Sequence, residues 1–198
     1  QKTAYEIMPS LVGSEMCIRD RSMSSRHSGI VQVYTGKGKG KTTAALGQAI
    51  RACGWGMRAM VIQFMKNGRN SGEVAASASI ENLKFECFGS GAFVRKGHPL
   101  AEDLRLAAEG LRRAEEILKR GSCDILILDE INVAVDLGLI EEESVLRLLD
   151  LRPPNMHLVL TGRGARSSII QRADLVTEMQ EIKHPYTSGR KAEKGIEY

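Results

Sequence analysis

The run Ile30-Val31-Gln32-Val33-Tyr34-Thr35-Gly36-Lys37-Gly38-Lys39-Gly40-Lys41-Thr42-Thr43 decides the fold of this chain. Its first third is apolar and short, as a strand would be, and the rest is glycine and lysine leading into a helical pattern. A strand that empties into a glycine-rich turn and then a helix points several backbone N–H groups at one spot. Polyphosphate is what such a concave nest binds best. The reading predicts a nucleoside triphosphate held by Gly36, Lys37, Gly38, Lys39, Gly40, Lys41, Thr42 and Thr43. Lys41 would reach phosphate oxygens as a point charge, and the Thr42 hydroxyl would sit on a magnesium ion. One position departs from the usual pattern: Thr35 stands where the loop ordinarily begins with glycine. Gly36 and Gly38 still give the turn its freedom.

Outward from this loop, strand-like and helix-like segments alternate. Strands are expected at 30–35, 59–64, 84–88, 125–129, 157–161 and 175–177, mostly apolar on both faces as buried parallel strands should be. Helices are expected at 41–53, 72–79, 100–120, 141–151 and 167–172. The clearest is 100–120, where Leu104, Ala107, Leu111, Ala114 and Leu118 recur at spacings of three and four before Gly121. Pro153 and Pro154 stop the 141–151 helix. Alternation of this kind predicts an α/β fold, a mostly parallel sheet with helices on both faces.

The composition narrows the partners. With 198 residues, 42% apolar and 26% charged, the chain is expected to form one globular domain with a real core. A net charge of +4 and 5% aromatics give no basic stripe interleaved with rings, so a small anion is favoured over nucleic acid. Cys17, Cys53, Cys87 and Cys123 form no Cys-x-x-Cys pair, which argues against a zinc site or disulfide framework and fits a reducing, cytoplasmic setting. No apolar run approaches membrane-spanning length. Residues 1–28 look unlike the rest; the stretch from Ser10 to Arg21 resembles translated adapter sequence, and Met23 reads as a natural start. The domain is therefore expected over 29–198.

Three further constellations carry chemistry. Asp124-Ile125-Leu126-Ile127-Leu128-Asp129-Glu130 is an apolar strand ending in two carboxylates, as needed to hold magnesium opposite Thr42. Asp129 or Glu130 would bind the ion, directly or through water. Thr161-Gly162-Arg163-Gly164 follows an apolar strand and aims Arg163 at the same crevice as a phosphate clamp. Arg51 lies on the loop's own helix, where spacing leaves it facing nucleotide or solvent. Ile182-Lys183-His184-Pro185-Tyr186 and the segment to Tyr198 read as an arm packed on the domain; no nucleophile stands beside His184, so no triad is read there.

Together these pieces resemble the phosphate-loop type of ATP:corrinoid adenosyltransferase. The likeness spans about residues 29–198 and rests on the loop, on Gln63-Phe64 with Lys66, and on Leu128-Asp129-Glu130. Arg152-Pro153-Pro154, Leu160-Thr161-Gly162-Arg163-Gly164, Ala173 through Met179, and the tail from Ile182 to Tyr198 extend it. Thr35 is itself a feature of that family's loop. The resemblance implies a RecA-like phosphate-loop fold and attack of Co(I) on the 5′ carbon of ATP, expelling intact triphosphate. It implies Lys41, Thr42 and Glu130 as catalytic residues, Arg51 and Arg163 on ATP, and magnesium on Thr42, Asp129 and Glu130. It also implies that cobalamin or cobinamide lies against Phe93 and Phe64. Better-known members carry a tryptophan-containing sequence in the place of Phe88 to Val94, which this chain lacks. A flavoprotein or similar electron donor, a homodimer and a cytoplasmic location are further implications. Two other classes fit the loop alone: an ordinary ATPase or kinase cleaving between phosphates, and a nucleotide-dependent switch without a substrate.

Overall fold

The computed structural model describes residues 28–69, 71–185, 189 and 191–196; the expectations for residues 1–27 lie outside these. Six strands form one sheet: β1 (Val31–Thr35), β2 (Ala59–Phe64), β3 (Leu83–Phe88), β4 (Ile125–Asp129), β5 (His157–Thr161) and β6 (Leu175–Glu178). Their order across the sheet is β3-β2-β4-β5-β1-β6. Every pairing is parallel, for example Val33 beside Leu160 and beside Val176. The helices are α1 (Lys41–Gly54), α2 (Gly72–Ser77), α3 (Ala101–Arg120), α4 (Ile131–Asp136), α5 (Glu142–Leu151) and α6 (Ser167–Arg172).

The two-residue period of a strand builds two cores from one sequence. In β4, Ile125 and Ile127 face the layer containing α1, where they meet Ala45 and Ala49; Leu126 and Leu128 face the opposite layer with Ala114, Ile117 and Leu148 from α3 and α5. Alanines on α1 let that helix lie close above β2, β4 and β5. Close approach on the other face comes from Gly110 in the middle of α3. A Cβ there would stand 2.8 Å from the Phe64 ring and 3.1 Å from Phe88. A glycine in a helix interior costs about 1 kcal/mol relative to alanine, which this packing offsets.

Four expectations are corrected. The short helix α4 was not foreseen: its six residues are too few to show a period, and its N-cap residue, Glu130, offers no capping hydrogen bond. β6 is exposed along its whole length, because it is an edge strand and not an interior one. Leu104 is 41% exposed, while the rest of the expected stripe is inside: Ala107, Ala114 and Leu118 are buried and Leu111 packs on the core, joined by Asp103 and Gly110. Asp103 can sit inside because it accepts from the Ser90 hydroxyl at 2.8 Å and from the Leu100 amide at 3.3 Å. Phe64, expected against a corrinoid, is fully buried in the α3 core and offers no face to a ligand.

Candidate active site

The carboxyl ends of β1, β2, β4 and β5 converge on one crevice. The chain leaves β1 toward β2 on one side of the sheet and enters β6 on the other, so β1 stands where connections diverge, the place at which open α/β sheets bind ligands. β5 lies between the strand carrying the phosphate loop and the strand carrying Asp129. Its last residue, Thr161, therefore bridges the two.

Asp129 is completely buried and accepts four hydrogen bonds. The Thr42 and Thr161 hydroxyls donate to Oδ1 at 2.8 and 2.7 Å, and Gln63 Nε2 and Lys66 Nζ donate to Oδ2 at 3.0 and 3.3 Å. All its lone-pair directions are used, so it orients Thr42 from behind and does not face the cavity. Thr161 in turn accepts from the Glu130 amide at 2.9 Å. Glu130 sits in the left-handed region, φ 63°, at the strand-to-helix turn, and its side chain lines the cavity. Burial, and next the charge of Asp129, push its carboxyl above the ordinary range, partly offset by Lys66, Lys41 and Arg163.

That shift fixes a stability prediction. A carboxyl whose folded pKa is raised binds its proton more tightly when folded. Its contribution is thus fully present below the unfolded value and is lost as pH rises through the folded one. Glu130→Gln is therefore expected to raise the melting temperature of the ligand-free protein at neutral pH, with the advantage vanishing as pH falls below the ordinary glutamate range. Melting curves of both proteins from pH 4 to 8 check it; a variant less stable than the parent at neutral pH contradicts it.

Lys41 is nearly buried, and its ammonium donates to the carbonyls of Gly36 and Gly38 at 2.9 and 2.6 Å, holding the loop open around itself. Burial, and next the Arg163 charge, lower its pKa. Arg163 lines the cavity from the β5–α6 turn, and among the described residues no hydrogen bond or ion pair fixes its guanidinium. Two cations thus line one pocket and repel each other, a repulsion that an anion would relieve.

The loop also binds its own chain. The run leaving β6 passes along it: Met179 N–H donates to the Thr35 carbonyl at 2.8 Å, and Gly38 N–H donates to the Met179 carbonyl at 2.7 Å. A Cβ on Gly36 would stand 2.3 Å from the Met179 carbonyl oxygen, and one on Gly38 2.7 Å from that of Gln180. Both positions need glycine for this packing alone, and Gly38 N–H is already committed, not turned to phosphate as expected. Thr35, the departure from the loop pattern, accepts from the Ala165 amide at 3.3 Å and so ties the loop to the Arg163 turn. Sequence reasoning missed Gln63 and Thr161 as site residues. The available signal was a polar residue at the carboxyl end of an otherwise apolar strand.

The cavity measures about 890 Å³, within the range of small-molecule sites. One part is polar, walled by the loop residues Lys37 to Thr43 with Lys66, Glu130 and Arg163; another is apolar, with Leu46, Ile50, Ile80, Leu83 and Phe85. The C-terminal arm closes a side through Glu181, His184, Gly195 and Ile196, and Lys39 Nζ donates to the Ile196 carbonyl at 2.7 Å. The arm is thus a wall of the site as well as packing on the domain; Tyr186 and Tyr198 lie outside the described residues. Arg51 is exposed on α1 and does not line the cavity. Phe93 is 90% exposed on the loop between β3 and α3, again outside the cavity. That loop is pinned by Val94, which is buried, and by Lys96, whose ammonium bonds both oxygens of Asp136 at 2.9 Å.

The sheet order, the lysine-centred loop and the threonine–aspartate contact define a phosphate-loop protein of RecA-like fold. A KaiC-like protein from Pyrococcus horikoshii shares that fold, with a TM-score of 0.52 at 20% identity over 79% of this chain and 75% of its own. Residues 27–198 match the model of ATP:corrinoid adenosyltransferase BtuR/CobO/CobP, and the chain belongs to that family. A corrinoid adenosyltransferase of a Sinorhizobium species is 37% identical, covering 91% of this chain and 86% of its own. The Pseudomonas aeruginosa and Escherichia coli K12 corrinoid adenosyltransferases are 36% and 35% identical, each over 86% of this chain and over 84% and 86% of their own lengths. The family's activity is ATP-dependent adenosylation of corrinoids.

Proposed function

We propose that this chain transfers the 5′-deoxyadenosyl group of ATP to the Co(I) centre of a reduced cobalamin or cobinamide and releases triphosphate. The observation that carries the reading is a polyphosphate cradle, lined by Lys37 to Thr43 with Lys66 and Arg163, in a chain that matches the adenosyltransferase family over residues 27–198. Co(I) supplies its own electron pair, so the protein's task is to hold the 5′ carbon in line and to stabilise charge on the leaving group. Lys41 and Arg163, both lining the cavity, are the cations that would do so. Lys37 and Lys39 line the loop's outer side, and the amides of Gly40, Lys41, Thr42 and Thr43 open α1 toward the phosphates.

Magnesium fits these residues. Among the described residues no three His, Cys, Asp or Glu side chains cluster as a metal site, which suits an ion held by one or two protein groups and phosphate oxygens. The Thr42 hydroxyl and the Glu130 carboxylate would hold it, with Asp129 orienting Thr42. When bound, the ion neutralises part of the triphosphate charge.

Phe93 is placed at the carboxyl edge of the sheet, exposed and on a tethered loop, where an apolar ring could lie on a flat macrocycle. Phe93→Ala is expected to slow adenosylation of a Co(II) corrinoid supplied with a reductase, sparing chemically pre-reduced Co(I); equal losses on both substrates remove that role. Family likeness supports a homodimer, a flavoprotein or similar electron donor and a cytoplasmic location. Among the described residues no helix is long and apolar enough to cross a membrane.

The test is to supply ATP, magnesium and Co(I) corrinoid and to follow the corrinoid spectrum and the nucleotide products. Cobalt–carbon bond formation with triphosphate is the expected result. Release of ADP and phosphate would assign the protein to ordinary phosphate cleavage instead.

A further inference from the structure

We infer that Lys66 is a further catalytic cation, which leaves Asp129 to grip the triphosphate as it departs. The inference rests on the adenosyl-transfer reading above and adds a residue to it. Lys66 follows β2, and the chain reaches it through Met65, which holds a left-handed backbone, φ 61°. For a residue with a side chain such a conformation is unfavourable and persists only where the surroundings impose it. Here they do. Met65 N–H donates to the Phe88 carbonyl at 2.9 Å, and Gly89 lies so close that a Cβ on it would be 2.1 Å from the Met65 carbonyl carbon and 2.4 Å from the Lys66 nitrogen. The end of β3 therefore clamps the turn that launches Lys66 over the carboxyl edge of the sheet.

Its side chain reaches Asp129 and lines the cavity with Lys41, Glu130 and Arg163. The tie to Asp129 is the longest of that residue's four hydrogen bonds, at 3.3 Å, and the Lys66 side chain is 43% exposed. Removing it would leave Asp129 with Thr42, Thr161 and Gln63 as donors. A lysine so loosely kept, on a clamped turn beside an anion site, can exchange partners cheaply. In the transfer, the cobalt electron pair forms the bond to C5′, the C5′–O5′ bond breaks, and its electron pair goes to the triphosphate oxygen. No proton moves. The charge gained by the triphosphate is greatest after the bond has stretched, so a cation that swings to it favours the transition state over bound ATP.

Lys66→Met and Lys66→Arg separate this from a counter-ion role. Inorganic tripolyphosphate with magnesium is titrated into each protein by calorimetry, and kcat and KM for ATP are measured with chemically reduced corrinoid. Lys66→Met is expected to lower kcat by roughly 10²-fold, to raise KM for ATP far less, and to weaken tripolyphosphate about tenfold; Lys66→Arg should recover most of both. Tripolyphosphate affinity and kcat within about twofold of the parent overturn the inference. So does a loss accompanied by lowered melting temperature and unchanged tripolyphosphate affinity, which marks a mere counter-ion to Asp129. If the parent protein forms no cobalt–carbon bond, the reaction reading fails separately, and the tripolyphosphate titration still decides whether Lys66 contacts the anion.

Discussion

Replacing Lys41 by alanine is expected to lower kcat/KM for ATP by about 10²–10³-fold or more, the scale for removing one preorganised charge donor. The residue is the only cation buried within the loop among the described residues, and its ammonium spans the Gly36 and Gly38 carbonyls. Its pKa is held low by burial and by Arg163, a direction that an arriving triphosphate reverses. The fold should survive, because the side chain packs against the loop and not the sheet core. Steady-state kinetics with Co(I) corrinoid and a melting curve together check it. Unchanged kcat/KM removes Lys41 from the mechanism, and a collapsed melting transition would make the loss structural.

Asp129→Asn is expected to damage stability and activity together. The carboxylate is fully buried and accepts from four donors. An amide in its place offers one acceptor oxygen and turns N–H groups toward donors already there. Breaking a buried charged cluster by removing one member costs about 3–5 kcal/mol. For a domain of this size that lowers the melting temperature by roughly 6–20 °C. Activity should fall further than stability alone explains, because Thr42 loses the partner that orients it. A variant that melts within about two degrees of the parent would show that Asp129 is not the hub of the site.

Much of this architecture can be read from the chain, and the residues show why. A strand buried on both faces writes itself as an unbroken apolar run, so β1, β2, β4 and β5 are legible almost to the residue. Loop and carboxylates announce themselves because each ends such a run. What escaped reading depends on the other side of a contact. Gly38 could not be known to spend its amide on Met179, nor Gly110 to admit the Phe64 ring, from local spacing. Phe64 and Arg51 carry the residue types of a site, yet the face on which each lies is settled by α3 packing and by the turn angle along α1. Glu181, His184, Gly195 and Ile196 stand in a stretch with almost no periodicity, and only the fold shows that they wall the pocket.

The placement of β1 has a consequence for synthesis on the ribosome. Among the described residues the strand nearest the N-terminus, β1, pairs with the two nearest the C-terminus, β5 on one side and β6 on the other, and the turn that follows β1 is braced by Met179. Chains emerge from the N-terminus at about 5–20 residues per second. Residues 31–43 must therefore wait, for roughly 6–27 seconds at those rates, until 157–179 have emerged. Nucleotide added to a stalled chain ending before β6 should find nothing to hold, whereas the released protein closes its pocket in one late step.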